Sequence, residues 1–376
     1  MRRTCFFAQL QLPGLGDLVQ RNILLGVLRR AHPGASVTLV VGTGLAERYA
    51  DLLPRHVYAE DLMRCPDPGD TTPEHWRAFL AELADRRFEL CVVDPGSHTL
   101  GAGHAERARI PRRVGVARGR ASDRQLSHPV RLPPPLLGVS DLYEYANAFA
   151  RALGARPLRP AEVVPDLPRQ PEKVPELDAP GPRIGVHPGG QPHWNRRWPL
   201  DRYAELCVRL VADLGASLYL LGADGERAEL AELRDRITAA VPAAVPHVEA
   251  GGALNRTANL VAGLDLLVGN DSGLAHLAAA VGTSTVVLYG PTGTEPLWAR
   301  VYPRHRGVSL HYPCQAIRHE PDQAAGRRCA HGCVVRYQGP RGPYPRCLVD
   351  LDVDRVWAAT TAQLRAQQRS GGGHVR

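Results

Sequence analysis

The chain has 376 residues, 44% of them hydrophobic and 22% charged, with a formal net charge of +8. At about 150 residues per domain this length suggests two domains, and the apolar content excludes a disordered chain. No apolar run approaches the roughly 20 residues that a membrane-spanning helix needs.

In chain order, the start mimics an export signal in Arg2, Arg3, Phe6 and Phe7, but Gln9 and Gln11 break the apolar part. A first strand, Phe6 to Leu12, is the better reading. Without export the eight cysteines are expected to be reduced thiols and the protein cytoplasmic. A helix follows from Asp17 to Arg30, then a strand at Val37–Val41, a helix at Trp76–Asp85 and a strand at Leu90–Val93. Strands alternating with helices predict parallel βαβ units, an α/β architecture. Prolines at 157, 160, 165, 168, 171, 175, 180 and 182 then mark a linker running along the surface.

Alternation restarts with a strand at Arg183–Val186, a helix at Leu200–Leu214, a strand at Ser217–Leu221 stopped by Gly222, and a helix at Ala223–Ala240. The runs Leu266–Val268 and Ser284–Leu288 read as two more parallel strands, and residues 302–347 as irregular. The expected domains are one at 1–160, a linker at 161–182 and a second domain at 183–350. A final helix at 351–368 and a disordered tail at 369–376 complete the chain.

Of the 46 basic residues only Lys173 is lysine, which reads as the codon bias of a GC-rich genome. The arginines are scattered rather than gathered into a stripe with interleaved aromatics, so no nucleic-acid partner is expected. A general positive field favours an anionic ligand.

The most informative stretch is Asn270-Asp271-Ser272-Gly273-Leu274-Ala275-His276. A buried strand turning into an Ala-rich helix aims the first unpaired helix amides at one spot, a seat for phosphate. Ser272 could equally be a plain N-cap, and His276 a packed histidine holding the turn. The second domain opens with His187-Pro188-Gly189-Gly190, an open backbone turn, and continues through His193 to Arg196-Arg197-Trp198-Pro199. Guanidinium forks there would pair with phosphate oxygens. Near the start, Gly14-Leu15-Gly16-Asp17 makes a tight turn that delivers a carboxylate to the head of a helix. Asp17 reads either as a first-turn acid or as a general base for a hydroxyl nucleophile.

These segments occur in order with Leu220-Leu221-Gly222 and Tyr289-Gly290-Pro291-Thr292, and together they resemble glycosyltransferase family 9, the heptosyltransferases that use ADP-heptose. The resemblance covers the chain to about residue 300 and implies the GT-B architecture: two Rossmann-like domains facing an interdomain cleft. It implies inversion at the anomeric carbon and no metal or other cofactor. By it Asp17 matches the general base, Arg196 stands where a lysine contacts the donor phosphates, and Ser272 and Gly273 match the amides that hold the diphosphate, beside Asp271. Glu226 falls near the acid that binds the donor ribose.

The partners so implied are a nucleotide-sugar donor and a hydroxyl-bearing acceptor, with peripheral membrane contact if the acceptor is lipid-linked. The inferred genome favours a small natural-product acceptor of the aminoglycoside-precursor type and a place in antibiotic biosynthesis. A lipopolysaccharide or other cell-envelope acceptor, and a sugar-nucleotide epimerase of the same architecture, are the alternatives. Arg107, Arg109, Arg112, Arg113, Arg118 and Arg120 are expected to help line the acceptor pocket. Two further patterns read as bland: Asp350-x-Asp352-x-Asp354 as acids at a helix start, and Cys314, Cys329, Cys333 and Cys347 as reduced thiols rather than a zinc site.

Overall fold

The computed structural model describes residues 3–8, 14–53, 58–67, 69–94, 98–117, 119–132, 142–167, 174–190, 196–290, 295, 298, 301–312, 336–339 and 342–371. By its contacts the chain divides into two units, Met1–Pro168 and Arg169–Arg376.

The first unit carries β1 (Arg3–Phe7), α1 (Leu15–Ala31), β2 (Ser36–Gly42), α2 (Thr43–Leu52), β3 (Asp61–Cys65) and α3 (Pro73–Asp85). It continues through β4 (Leu90–Val93), α4 (His98–Arg107), β5 (Arg112–Val116), β6 (His128–Val130) and α5 (Leu142–Leu153). Its six strands are all parallel, in the order β3-β2-β1-β4-β5-β6. The inner strands are mostly buried because helices cover both faces of such a sheet; every residue of β4 is apolar and buried.

The second unit repeats the plan with β7 (Arg183–His187), α6 (Leu200–Leu214), β8 (Ser217–Gly222), α7 (Arg227–Ala240), β9 (His247–Ala250) and α8 (Leu254–Ala262). Then come β10 (Leu266–Asn270), α9 (Gly273–Ala280), β11 (Ser284–Leu288) and β12 (His305–Val308). The parallel order β12-β11-β10-β7-β8-β9 is that of the first sheet read from the other edge. A hairpin (Arg336–Gly339 with Gly342–Pro345) and a final helix, Val353–Gly371, follow. That helix places Val353, Val356 and Leu364 in the second core.

Both sheets have the doubly wound Rossmann order, so each reverses direction once, between β1 and β4 and between β7 and β10. Ligands of such sheets bind beyond the carboxyl ends of the strands at that reversal.

Several expectations need correcting. Gly222 is itself the last residue of β8, paired with Ala250, so the strand runs one residue past Leu221 before it stops. A 3₁₀ turn, Asp224–Glu226, precedes α7. The stretch expected to be irregular holds the sixth strand of the second sheet. The Pro-rich segment is not merely laid on the surface, because Leu158, Val163, Leu167 and Val174 are buried. Asn147 Oδ1 accepts the Leu158 N–H, and Asn22 Nδ2 donates to the Asp166 carbonyl, pinning that stretch to the first unit.

Candidate active site

In the first unit the reversal point is flanked by the turn after β1 and the end of β4. Gly14 enters α1 in extended backbone, and Asp17, in the first turn, accepts the Gly14 N–H through Oδ2 at 2.9 Å. The carboxylate is exposed and Gly16 is buried beneath it. Asp17 is therefore a first-turn acid, as the bland reading has it, and the contact with its own turn fixes one of its oxygens.

One turn further along the same helix, Arg21 Nε lies 2.8 Å from the carboxylate of Asp94, which ends β4 and is fully buried. The sequence reading passed over this pair. An acid directly after the apolar run Leu90–Val93 was the available signal.

Two of the arginines expected at the acceptor pocket are engaged within the unit. Arg112 donates to the Ala152 carbonyl, and Arg113 to those of Gln125 and Ile110. Arg118 lies outside the described residues.

The second unit is more heavily wired. Asn270, fully buried at the end of β10, uses all of its side-chain capacity. Its oxygen accepts from the Trp198 N–H and the Tyr203 hydroxyl at 3.1 and 2.9 Å, and its amide donates to the Pro188 and Gly189 carbonyls at 2.7 and 3.0 Å. One side chain thereby ties together the turns after β7 and β10 and the start of α6. Trp198 extends the tie by donating its indole N–H to the Leu351 carbonyl.

Within this frame, Gly189 has no room for a side chain, and Gly190 has the room but a backbone conformation that disfavours one. A Cβ on Gly189 would lie 2.1 Å from Glu226 Oε1, and Gly190 has φ +143°. Glu226 itself is enclosed. Oε1 takes the Gly190 N–H and Oε2 the Ala223 N–H, each at 2.8 Å, while Arg197 donates to Oε1 at 3.2 Å. Burial pushes the Glu226 carboxyl up, but His187 and the two backbone N–H groups outweigh it and bring it down to about 2. Both Glu226 oxygens are engaged by the protein, and the lone pairs that remain are what it could offer a donor ribose.

The two neighbouring arginines have different surroundings. Arg197 is held by Glu226, Glu229 and the Gly190 carbonyl. Arg196 is only partly buried and has no hydrogen-bond or ion-pair partner among the described residues. His193 lies outside them.

At the start of α9, Ser272 is the N-cap residue in extended backbone, but its side chain does not cap its own helix. The hydroxyl instead meets His187 Nδ1 at 2.9 Å. The Ala275 N–H donates to the Ser272 carbonyl at 3.1 Å, while the Gly273 and Leu274 amides have no acceptor among the described residues and lie beside the buried Asp271. His276 is directed elsewhere. Its Nδ1 meets the Tyr302 hydroxyl at 2.7 Å, and its ring packs edge-on against Trp298 at 4.7 Å. It supports α9 from within, as the packed-histidine reading has it. Pro291 and Thr292 lie outside the described residues.

The acids around the final helix are occupied. Asp350 takes the Tyr312 hydroxyl and Arg346, Asp352 caps the Arg355 N–H, and Asp354 pairs with Arg209. Cys347 is a buried free thiol; Cys314, Cys329 and Cys333 lie outside the described residues.

Two Rossmann-like sheets of matching order, each with polar groups at its reversal point, define the GT-B class. Residues 76–326 match the signature of glycosyltransferase family 9 (heptosyltransferase). The chain belongs to this family. The matched region includes the donor-side turns and leaves out Asp17.

Among similar proteins, lipooligosaccharide heptosyltransferase 2 of Haemophilus influenzae is 32% identical over 124 residues, covering 33% of this chain and 36% of the relative. The chain thus spans about a third of that relative's length. Lipopolysaccharide heptosyltransferase 1 of Pseudomonas aeruginosa is 28% identical over 80% of this chain and 82% of its own. The solved structure of the Escherichia coli ADP-heptose lipopolysaccharide heptosyltransferase II superposes with a TM-score of 0.69 over 98% of this chain and all of that one. At 21% identity that likeness shows the fold. These names reverse the preference between acceptors: they favour the cell-envelope alternative, and nothing supports a natural-product acceptor or antibiotic biosynthesis. Among the described residues, no helix is long and apolar enough to cross a membrane.

Proposed function

We propose that the protein is an inverting glycosyltransferase that moves a heptose from an ADP-sugar to a hydroxyl of a lipopolysaccharide-type acceptor. The observation that carries this reading is the mouth of α9. There Ser272 leaves its own helix uncapped, Gly189 and Gly190 keep the facing turn bare, and Arg196 has no protein partner among the described residues. Helix amides and a free guanidinium suit a diphosphate leaving group, because charge that develops as the glycosidic bond breaks meets dipoles already in place. In this reading they stabilise the departing ADP without a metal. Asp17, fixed by Gly14, takes the proton from the acceptor hydroxyl as that oxygen attacks the anomeric carbon from the opposite face. The names of the similar proteins support the donor and the acceptor class. The enzyme would work from the cytoplasm, meeting a lipid-linked acceptor by peripheral contact.

The test combines calorimetric titration with ADP and UDP and a transfer assay using ADP-heptose and a heptose-free lipopolysaccharide core. Preference for ADP, with transfer that Asp17→Asn abolishes, supports the reading. Preference for UDP, or sugar released without an acceptor, overturns it.

A further inference from the structure

Three side chains form a connected line behind the α9 mouth. His187 closes β7, Ser272 begins α9, and Glu226 ends the turn before α7. Ser272 Oγ is 2.9 Å from His187 Nδ1, and His187 Nε2 is 3.6 Å from Glu226 Oε2. The last distance suits an electrostatic pair and is long for a hydrogen bond. His187 is only 6% exposed, so solvent does not substitute for these partners.

The direction of the Ser272 hydroxyl depends on the state of this ring. A neutral imidazole beside the Glu226 carboxylate keeps its proton on Nε2, since a bare Nε2 lone pair would face a negative charge. Nδ1 then accepts, the Ser272 O–H hydrogen is spent on the ring, and the oxygen lone pairs are left toward the helix mouth. That arrangement repels an anion. In the doubly protonated ring Nδ1–H donates to Ser272 Oγ, and the hydroxyl hydrogen is released to point at an anion. Whatever the state of the ring, the Gly190 and Ala223 N–H groups and Arg197 hold Glu226 as a carboxylate.

We propose that His187 is a positioning residue for the donor diphosphate, whose binding draws a proton from solvent onto the imidazole and turns the Ser272 hydroxyl toward the phosphate. This rests on the donor reading above. The proton is taken from bulk water or buffer and returned when ADP leaves, so the cycle balances. The groups packed against the ring are few. Glu226 faces Nε2 with Arg197 behind it, Asp271 immediately precedes Ser272, Gly269 of β10 lies against the His187 backbone, and the Tyr203 hydroxyl of α6 reaches the His187 carbonyl at 3.5 Å. Glu226 and the incoming phosphates both favour the charged ring, and Arg197 is neutralised by Glu226 and Glu229.

The experiment is calorimetric titration of the full chain with ADP in buffers of different ionisation enthalpy, which counts protons taken up per ADP bound. It is run near and above about pH 8, where the nucleotide's own phosphates are ionised. His187→Asn is the reference, because the asparagine amide can donate to Ser272 Oγ permanently and carries no titrating proton. Wild type is expected to take up as much as about one proton more than the variant. Its apparent affinity should fall by up to about tenfold per pH unit across the range of uptake, while that of His187→Asn stays flat. Imidazole ¹⁵N resonances of wild type provide a second reading that needs no variant: an Nε2–H tautomer when free and a doubly protonated ring with ADP. ADP binding with no excess uptake and an unchanged ring overturns the inference alone. Failure of ADP to bind at all overturns the donor reading with it.

Discussion

The two reversal points share one topology and are finished very differently. In the first unit, Asp17 is exposed and keeps one hydrogen bond to its own turn. In the second, Asn270, Glu226 and His187 are held from several elements and mostly buried. In the proposed reading the difference follows from what each half is asked to do. A phosphate seat works by having its dipoles fixed before the ligand arrives, and only cross-braced backbone fixes them. A base must reach a hydroxyl on a separate acceptor, so it needs access more than enclosure. Damage to the first half should therefore appear in the rate, and damage to the second in binding and stability.

The largest effect tests the open half. Asp17→Asn keeps size and the contact with the Gly14 N–H, and should lower kcat by about 10²–10⁴-fold, the usual worth of general-base assistance. Its affinity for ADP should equal wild type by calorimetry; weakened ADP binding would sink the division of labour drawn here. Next comes the hub of the enclosed half. Asn270→Ala strands two donors and two carbonyls in the interior, and should cost about 3–5 kcal/mol in denaturant unfolding. A loss below about 1 kcal/mol would show that the turns hold each other without it.

Acid should reach the same half. The Glu226 carboxyl titrates at about 2 in the folded chain against an ordinary 4.5, so its contribution is complete above about 4.5 and disappears as the pH falls through about 2. Linkage puts that contribution at about 3 kcal/mol as an upper figure. Glu226→Gln should lower stability at neutral pH and flatten the acid limb of the stability curve; an unaltered limb would refute the assignment. The smallest effect separates neighbours. Arg196→Ala should weaken ADP by about 10–100-fold with little change in melting temperature, as one or two charge-assisted bonds predict. Arg197→Ala should mainly lower the melting temperature, and equal effects on ADP would erase the distinction between the two arginines.

Much of this was legible because punctuation in the chain is strong where it occurs. Pro199 and Gly215 bracket α6, and Gly215, with φ +60°, sits where a left-handed helix cap requires it. The helix was placed at Leu200–Leu214 from such signals alone. β9 and β12 were not found, being four-residue edge strands with polar and half-exposed positions, too short to show a period.

In the site, the run from Asn270 to His276 announced a strand-to-helix turn, and the family resemblance supplied the donor. The surroundings of Glu226 and His276 were not legible for a common reason: each is decided by a partner distant in sequence. Gly190 lies 36 residues from Glu226, and Tyr302 lies 26 from His276. Local pattern does not encode which of two polar groups a fold will bring together.

The bond from Trp198 to the Leu351 carbonyl bears on how the chain is made. The first unit has all its strands by Val130, so it can settle while synthesis continues. The second cannot finish its core, or brace the turn behind Arg196, until Leu351, Val353 and Val356 have left the ribosome. Its half-built sheet must wait through the intervening residues with apolar surface uncovered, the interval in which chaperones act. Ribosome-stalled chains ending before residue 350 should therefore carry a protease-resistant first unit and a second that is still digestible.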